Sequence, residues 1–188
     1  GVEDSLQLLA KNENVAAAES LQRLKLKVKE ALGEVRRVAM DLRPSTLDDL
    51  GILATLSWFF REFGAACPDM KVDRDFSIEE ENVPAPLKIT IFRIIQEATS
   101  NVVKHAHARR LRVSLKNTGS VLCLSIEDDG DGFDPAEMAK YCSLDKGMGL
   151  LSMKERAKLS GGHYELASAP GQGTYIRVLW PLGAPTAS

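Results

Sequence analysis

Between residues 15 and 43 the apolar positions Leu21, Leu24, Val28, Ala31, Val35, Val38 and Leu42 recur at alternating spacings of three and four, with Lys, Arg and Glu between them. This is an a/d seam about three heptads long. An ordinary amphipathic helix packed on its own domain is the plainer alternative. A seam this narrow on a helix of about 40 Å favours a partner helix. Residues 1–12, with Leu6, Leu8 and Leu9, can supply the end of that partner, and Asn12-Glu13-Asn14 the turn. Pro44 stops the helix, because the residue before a proline is pushed out of the α region.

Ser45 or Thr46 then caps a second helix that runs through Trp58, Phe59, Phe60 and Phe63 to Gly64. Cys67-Pro68-Asp69 reads as a turn, and Val72, Phe76 and Ile78 as a strand, followed by a solvated charge run at Glu79-Glu80-Glu81. Pro84 and Pro86 precede a helix from Leu87 to about His105, with Ile89, Phe92, Ile95 and Val102 among its apolar positions. Period-two alternation predicts strands at 111–115 and 121–126, joined by the turn residues Asn117-Thr118-Gly119-Ser120. Residues 133–146 are polar and aperiodic, and contain Pro135; the expectation is a long mobile loop. A helix from Gly149 to about Ser160 ends at Gly161-Gly162, and His163–Ala167 with Thr174–Trp180 predict a final hairpin. The tail after Pro181 is expected to be disordered.

At 188 residues, 44% hydrophobic and 27% charged, the chain has room for one well-buried domain and an additional element. A net charge of −2 gives no reason to expect nucleic acid or an anionic membrane surface as partner. No apolar run approaches the roughly 20 residues that span a bilayer, so any membrane attachment is expected through regions outside this sequence. Cys67, Cys123 and Cys142 are odd in number and form no C-x-x-C, which suggests reduced, structural thiols in a cytoplasmic setting. The start at Gly1, in helix-like sequence without a methionine, suggests a piece of a longer chain.

The chemistry concentrates in three places. Asp128, at the end of a predicted strand, can accept from an exocyclic amine, and an ionised carboxylate favours adenine's amine over guanine's carbonyl. Gly130 and Gly132 permit a tight turn and close approach to a base. An acidic surface turn is the bland alternative. A calcium loop is disfavoured: with Asp129 and Asp131 at its third and fifth positions, the twelfth would be Met138 where a glutamate is required. Upstream, Glu97, Asn101 and Lys104 are three and four residues apart on one helix face. The Asn101 amide oxygen suits Mg²⁺, Glu97 can hold one of its waters, and Lys104 and His105 can meet phosphate oxygens. A solvated polar stripe would look the same. His105-x-His107 has no third ligand, and a zinc site is not expected. Third, Gly147-Met148-Gly149 opens a helix whose free N–H groups suit an anion, and the hydroxyl of Thr174 can add to that site. The dinucleotide fingerprint and the P-loop are both absent.

Together these segments resemble a known family. Gln96–Ala108 (QEATSNVVKHAHA) is similar to the N box of the gyrase–Hsp90–histidine kinase–MutL ATPases, Asp128–Gly132 to their first glycine box, and Gly147–Gly149 to their second. Residues 42–51 (LRPSTLDDLG) resemble the junction in sensor histidine kinases of the nitrate/nitrite-sensor and desaturase-regulator type. The resemblance implies an α+β fold, a two-layer α/β sandwich of the histidine kinase/Hsp90-like ATPase type preceded by a long helical dimerisation segment. It divides the chain into a helical segment and junction (1–64), an ATP-binding catalytic domain (65–182) and a tail (183–188). It implies that Asp128 contacts adenine, that Asn101 coordinates Mg²⁺, and that residues 133–148 form a lid over ATP. Gly130, Gly132, Gly147, Gly149, Leu150, Thr174, Lys104 and His105 complete the implied ATP site, with Glu97 a candidate catalytic residue on the magnesium side. Implied partners are a second copy of the chain, through the heptad helices, and the receiver domain of a response regulator. One departure stands out: His105, His107 and His163 are the only histidines, and none lies in a dimerisation helix. The phosphoacceptor of the family is therefore expected to lie before Gly1.

Overall fold

The computed structural model describes residues 45–140 and 148–182. The heptad seam at 15–43, Gly147 and the tail from residue 183 lie outside them, and all the described residues fall in one compact unit beginning at Pro44.

The first helix, α1 (Ser45–Ala66), is interrupted at Gly51, where φ is 82° and ψ 179°. An L-residue rarely adopts that backbone. The break frees the N–H groups of Ile52 and Leu53, which donate to the two carboxylate oxygens of Glu80 at 2.9 and 3.0 Å. A Cβ on Gly51 would overlap that carboxylate. Glu80 thus caps a helix 28 residues upstream from a 3₁₀ turn (Glu80–Asn82), and Lys88 pairs with it. The charge run at 79–81 is therefore not simply solvated: its middle carboxylate serves as a helix cap. Burial pushes the Glu80 carboxyl up, but the Lys88 hydrogen bond and the two backbone donors outweigh it and hold the group below its ordinary value.

A five-stranded sheet follows in the order β1-β2-β3-β5-β4, where β1 is Lys71–Asp75, β2 Arg110–Asn117, β3 Val121–Asp128, β4 His163–Ser168 and β5 Thr174–Pro181. β1 pairs parallel with β2 and every other pairing is antiparallel. The strand expected through Ile78 ends at Asp75, and Phe76 instead turns its ring toward Phe60, 6.0 Å away. Alternation assigns the two faces. Leu111, Val113 and Leu115 of β2, Leu122, Leu124 and Ile126 of β3, and Ile176, Val178 and Trp180 of β5 are all buried. The opposite face carries cross-strand polar pairs such as Arg112–Glu127 at 3.0 Å and Ser114–Ser125 at 2.8 Å, as expected of an antiparallel sheet solvated on one side.

Helix α2 (Ala85–Asn101) buries Ile91, Phe92, Ile94, Ile95 and Ala98, and continues as a π-helical turn (Val102–Ala106) ending at His107 in the left-handed region. Phe92 meets Phe59 edge-on at 5.7 Å, joining α2 to α1. A short helix, α3 (Pro135–Lys140), occupies the first part of the segment expected to be an irregular loop. Asp134 caps it, accepting from Ala136 N–H at 2.8 Å, with Pro135 at its first position. Helix α4 (Met148–Leu159) buries Met153 and Ala157, and Trp180 Nε1–H donates to Ser160 Oγ at 2.9 Å just past its end. This is the two-layer α/β sandwich.

The energetic order in α1 is clear. Ile52, Leu56, Phe59 and Phe60 each contribute about 1.5–3 kcal/mol by burial, whereas the Glu80 cap adds about 1–2 kcal/mol. Glu80→Ala is expected to leave the domain folded and to lower its unfolding free energy by about that amount at pH 7. Because the folded pKa is depressed, the Glu80 contribution is present above the unfolded value of about 4.3 and is lost as pH falls through the folded one. The two proteins should therefore converge in denaturant titrations at acid pH. Equal stability at pH 7 would refute the cap.

Candidate nucleotide site

Asp128 owes its burial to register. In β3 the positions 122, 124 and 126 face the helices, and 128 is the next in that row, paired with Leu111 on one side and Thr174 on the other. The side chain sits where an apolar residue would otherwise be, and Asp128 is only 8% exposed. A buried carboxylate needs donors. Gly130 N–H donates to Oδ1 at 2.9 Å, and Thr174, the partner of Asp128 across the β3–β5 ladder, lies beside it. Burial pushes the carboxyl above its ordinary value, and the polar contacts with Gly130 and Thr174 only partly offset this. The fold therefore disfavours the charged form relative to the unfolded chain, and this costs stability progressively as pH rises from the unfolded value to the raised folded one. A carboxylate has about four lone-pair sites. Gly130 N–H uses one of them, which leaves acceptor capacity for an incoming amine.

The loop after Asp128 is tied down on both sides. Asp129 Oδ1 accepts from the N–H groups of Arg109 and Arg110, both at 2.8 Å, and these bonds lead in holding its carboxyl below the ordinary value. Asp131 N–H donates to Ala106 O at 2.7 Å, and its carboxylate meets His107 Nδ1 at 2.7 Å. Among the described residues no cluster of three acidic, cysteine or histidine side chains could hold a metal ion. A Cβ on Gly130 would strike Ala106, and one on Gly132 (φ 60°) would strike Ala169 O, so their missing side chains let the loop pack on the protein itself.

Through Ala106 this loop touches the helix that carries the second set of candidates. Glu97 and Asn101 are half-buried near the end of α2, and the first turn of α4 lies against them. A Cβ on Gly149 would overlap the Glu97 carboxylate and come within 3.3 Å of Asn101 Nδ2. The structure thus brings together Glu97, Asn101 and Gly149, and Leu150 is half-buried beside them in sequence. Among the described residues neither Glu97 nor Asn101 has a side-chain hydrogen bond, so both oxygens are available to a hard cation. Lys104 and His105 are exposed on the π-helical turn that follows Asn101. Thr174 is not part of the helix N-terminus but of the Asp128 end.

His107, at a helix end where histidines usually cap or serve structure, is the left-handed cap that turns the chain into β2 and clamps Asp131. One residue escaped the sequence reading. Ser168 ends β4 opposite Thr174 and hydrogen-bonds Phe133 N–H and Gly173 O. A Ser before a Pro-Gly turn gives little sign of either bond.

Comparison with known proteins agrees with this layout. Residues 87–184 match the family described as Histidine kinase-, DNA gyrase B-, and HSP90-like ATPase. The signal transduction histidine-protein kinase/phosphatase DegS of Brevibacillus brevis is 33% identical over 166 residues, 88% of this chain and 42% of that protein. The chain thus spans less than half the length of that relative. Among solved structures, the Acinetobacter baumannii histidine kinase AdeS has a TM-score of 0.53 at 15% identity, over 84% of this chain and 82% of its own. The mycobacterial sensor histidine kinase MprB has 0.51 at 18% identity, over 69% of this chain and 93% of its own. At these identities the structural likeness is one of fold. Since the family match takes in more than half of its residues, the chain belongs to the histidine kinase-, DNA gyrase B- and HSP90-like ATPases, and among them it is similar to sensor histidine kinases.

Proposed function

We propose that this chain is the Mg-ATP-binding part of a two-component sensor histidine kinase. The observation that carries the reading is Asp128, a nearly closed-off carboxylate at a strand end that accepts from Gly130 N–H and keeps acceptor capacity for an incoming amine. That vacancy suits the single amine of adenine, and Thr174 and Gly130 hold the carboxylate toward it. At the other end Asn101 would offer magnesium an amide oxygen, and Glu97 a carboxylate through water. Magnesium, when bound, supplies charge neutralisation between the phosphates. Lys104 and His105 are exposed and close in sequence to Asn101, placed to meet phosphate oxygens. Gly147, Gly149 and Leu150 at the head of α4 close the site, and residues 133–148 act as its lid.

In the parent protein the γ-phosphoryl group passes to a histidine on a dimerisation helix, then to an aspartate of a response-regulator receiver domain. Such transfer needs alignment and charge stabilisation more than covalent help from the protein, in keeping with a site of donors and oxygen ligands. Residues 1–64 would supply dimerisation and junction, pairing two copies through the heptad seam, and 65–182 the catalytic domain. The three histidines all lie in the latter, so the 188-residue chain is not expected to label itself with phosphate. A cytoplasmic location follows from the need for ATP. Among the described residues no helix is long and apolar enough to cross a membrane.

Calorimetric titration with ADP and with a non-hydrolysable ATP analogue, with and without Mg²⁺, tests the reading. Asp128→Asn should weaken adenine-nucleotide binding by about 100-fold, two steps of about 1.4 kcal/mol, with the circular dichroism spectrum unchanged. Asn101→Ala should keep ADP binding and lose most of its magnesium dependence. Equal affinity in all three folded proteins would refute the site assignment. Binding requires the ionised carboxylate, and its pKa is raised. ADP affinity should therefore begin to fall at a higher pH than an ordinary aspartate of about 3.9 would impose. A flat profile down to that value would contradict the role of Asp128.

A further inference from the structure

The β4–β5 hairpin is fastened to the loop at 129–133 by more than sheet pairing, and the fastening converges on one hydroxyl. Ser168 Oγ donates to Gly173 O at 2.8 Å and accepts from Phe133 N–H at 3.0 Å. It lies 3.3 Å from Thr174 Oγ1. Beside it, Gly171 N–H donates to Asp131 O at 2.5 Å, and Gly132 packs on Ala169.

The protons decide what each group can do. The single proton of Ser168 is committed to Gly173 O, so Ser168 cannot donate to Thr174. The 3.3 Å contact is then made by the Thr174 hydroxyl, which donates to Ser168 Oγ. Ser168 therefore fixes the start of β5, where Gly173 packs on the Asp128 main chain and Thr174 pairs with Asp128. It also fixes the exit of the loop whose Gly130 N–H donates to the Asp128 carboxylate.

Resting on the adenine-site reading above, we propose that Ser168 is a positioning residue for base recognition, acting through Thr174 and the glycine loop without touching the nucleotide. Alanine at this position would leave Phe133 N–H and the carbonyl of buried Gly173 without partners, and would let hairpin and loop separate. The vacancy on Asp128 would then lose its aim. Threonine retains a hydroxyl and should preserve the arrangement.

The experiment compares wild type, Ser168→Ala, Ser168→Cys and Ser168→Thr. ADP is titrated against inosine diphosphate, which presents a carbonyl where adenine presents its amine, and amide exchange is followed at Phe133. Ser168→Ala should bind ADP about tenfold more weakly, and its preference for ADP over inosine diphosphate should shrink by a similar factor. Phe133 should exchange at least several-fold faster. Ser168→Thr should stay within about twofold of wild type. If Ser168→Ala fails to fold, Ser168→Cys, a weak donor and acceptor, should show the same loss of preference in smaller measure. A variant that loses thermal stability but keeps the ADP preference and slow Phe133 exchange would reduce Ser168 to a structural residue and overturn the proposal. A wild-type protein that binds neither nucleotide would instead remove the adenine site itself, and this assignment with it.

Discussion

A carboxylate shut away from water needs polar neighbours, and Asp128 draws them from two segments far apart in sequence. Gly130 N–H comes from the loop just beyond it, and Thr174 stands beside it on β5, a strand that returns after two helices and β4. The pairing Asp128↔Thr174 is the last in the β3–β5 register, so a slip of one residue would part it from Thr174 and turn the carboxylate to the wrong face. The buried row Leu122, Leu124 and Ile126, packed against Ile176, Val178 and Trp180, holds that register. Apolar packing fixes the sheet, and the sheet in turn positions the one group that the apolar core cannot accommodate alone.

The same logic extends to the helices. α2 presents Ile91, Ile94, Ile95 and Ala98 to the core and keeps Glu97 and Asn101 at the edge, where the first turn of α4 has room only for a residue without a side chain, Gly149. The π-helical turn then releases the chain through His107, and the main-chain oxygen of Ala106 receives the loop carrying Asp131. The two ends of the candidate site are thus parts of one packed assembly.

The fold was largely legible in the sequence because its strands alternate cleanly and its helices are punctuated by Gly and Pro. The Asn-bearing helix and the glycine clusters could be recognised as a set, and the structure brings Glu97, Asn101 and Gly149 together. What escaped depends on distant contacts or on faint local signals. Nothing in Glu79-Glu80-Glu81 tells which carboxylate will cap Ile52 and Leu53, because the choice is made by a helix break 28 residues away. The packing of Gly130 on Ala106 and of Gly132 on Ala169 was not legible either, because a glycine reports close approach without naming what approaches. α3 was a local signal overlooked: Asp134-Pro135 is a good cap followed by a good first helical residue. Ser168 had no signal at all, since its two partners are backbone groups of other segments.

The most direct test of the account is amide chemical-shift mapping of the labelled chain during titration with Mg-ADP. Concerted shifts at Gly130, Gly132, Thr174, Asn101 and Gly149, with Ser114 and Ser125 on the opposite sheet face unmoved, are the predicted result. Shifts confined to that opposite face, or to α1 around Gly51, would contradict it.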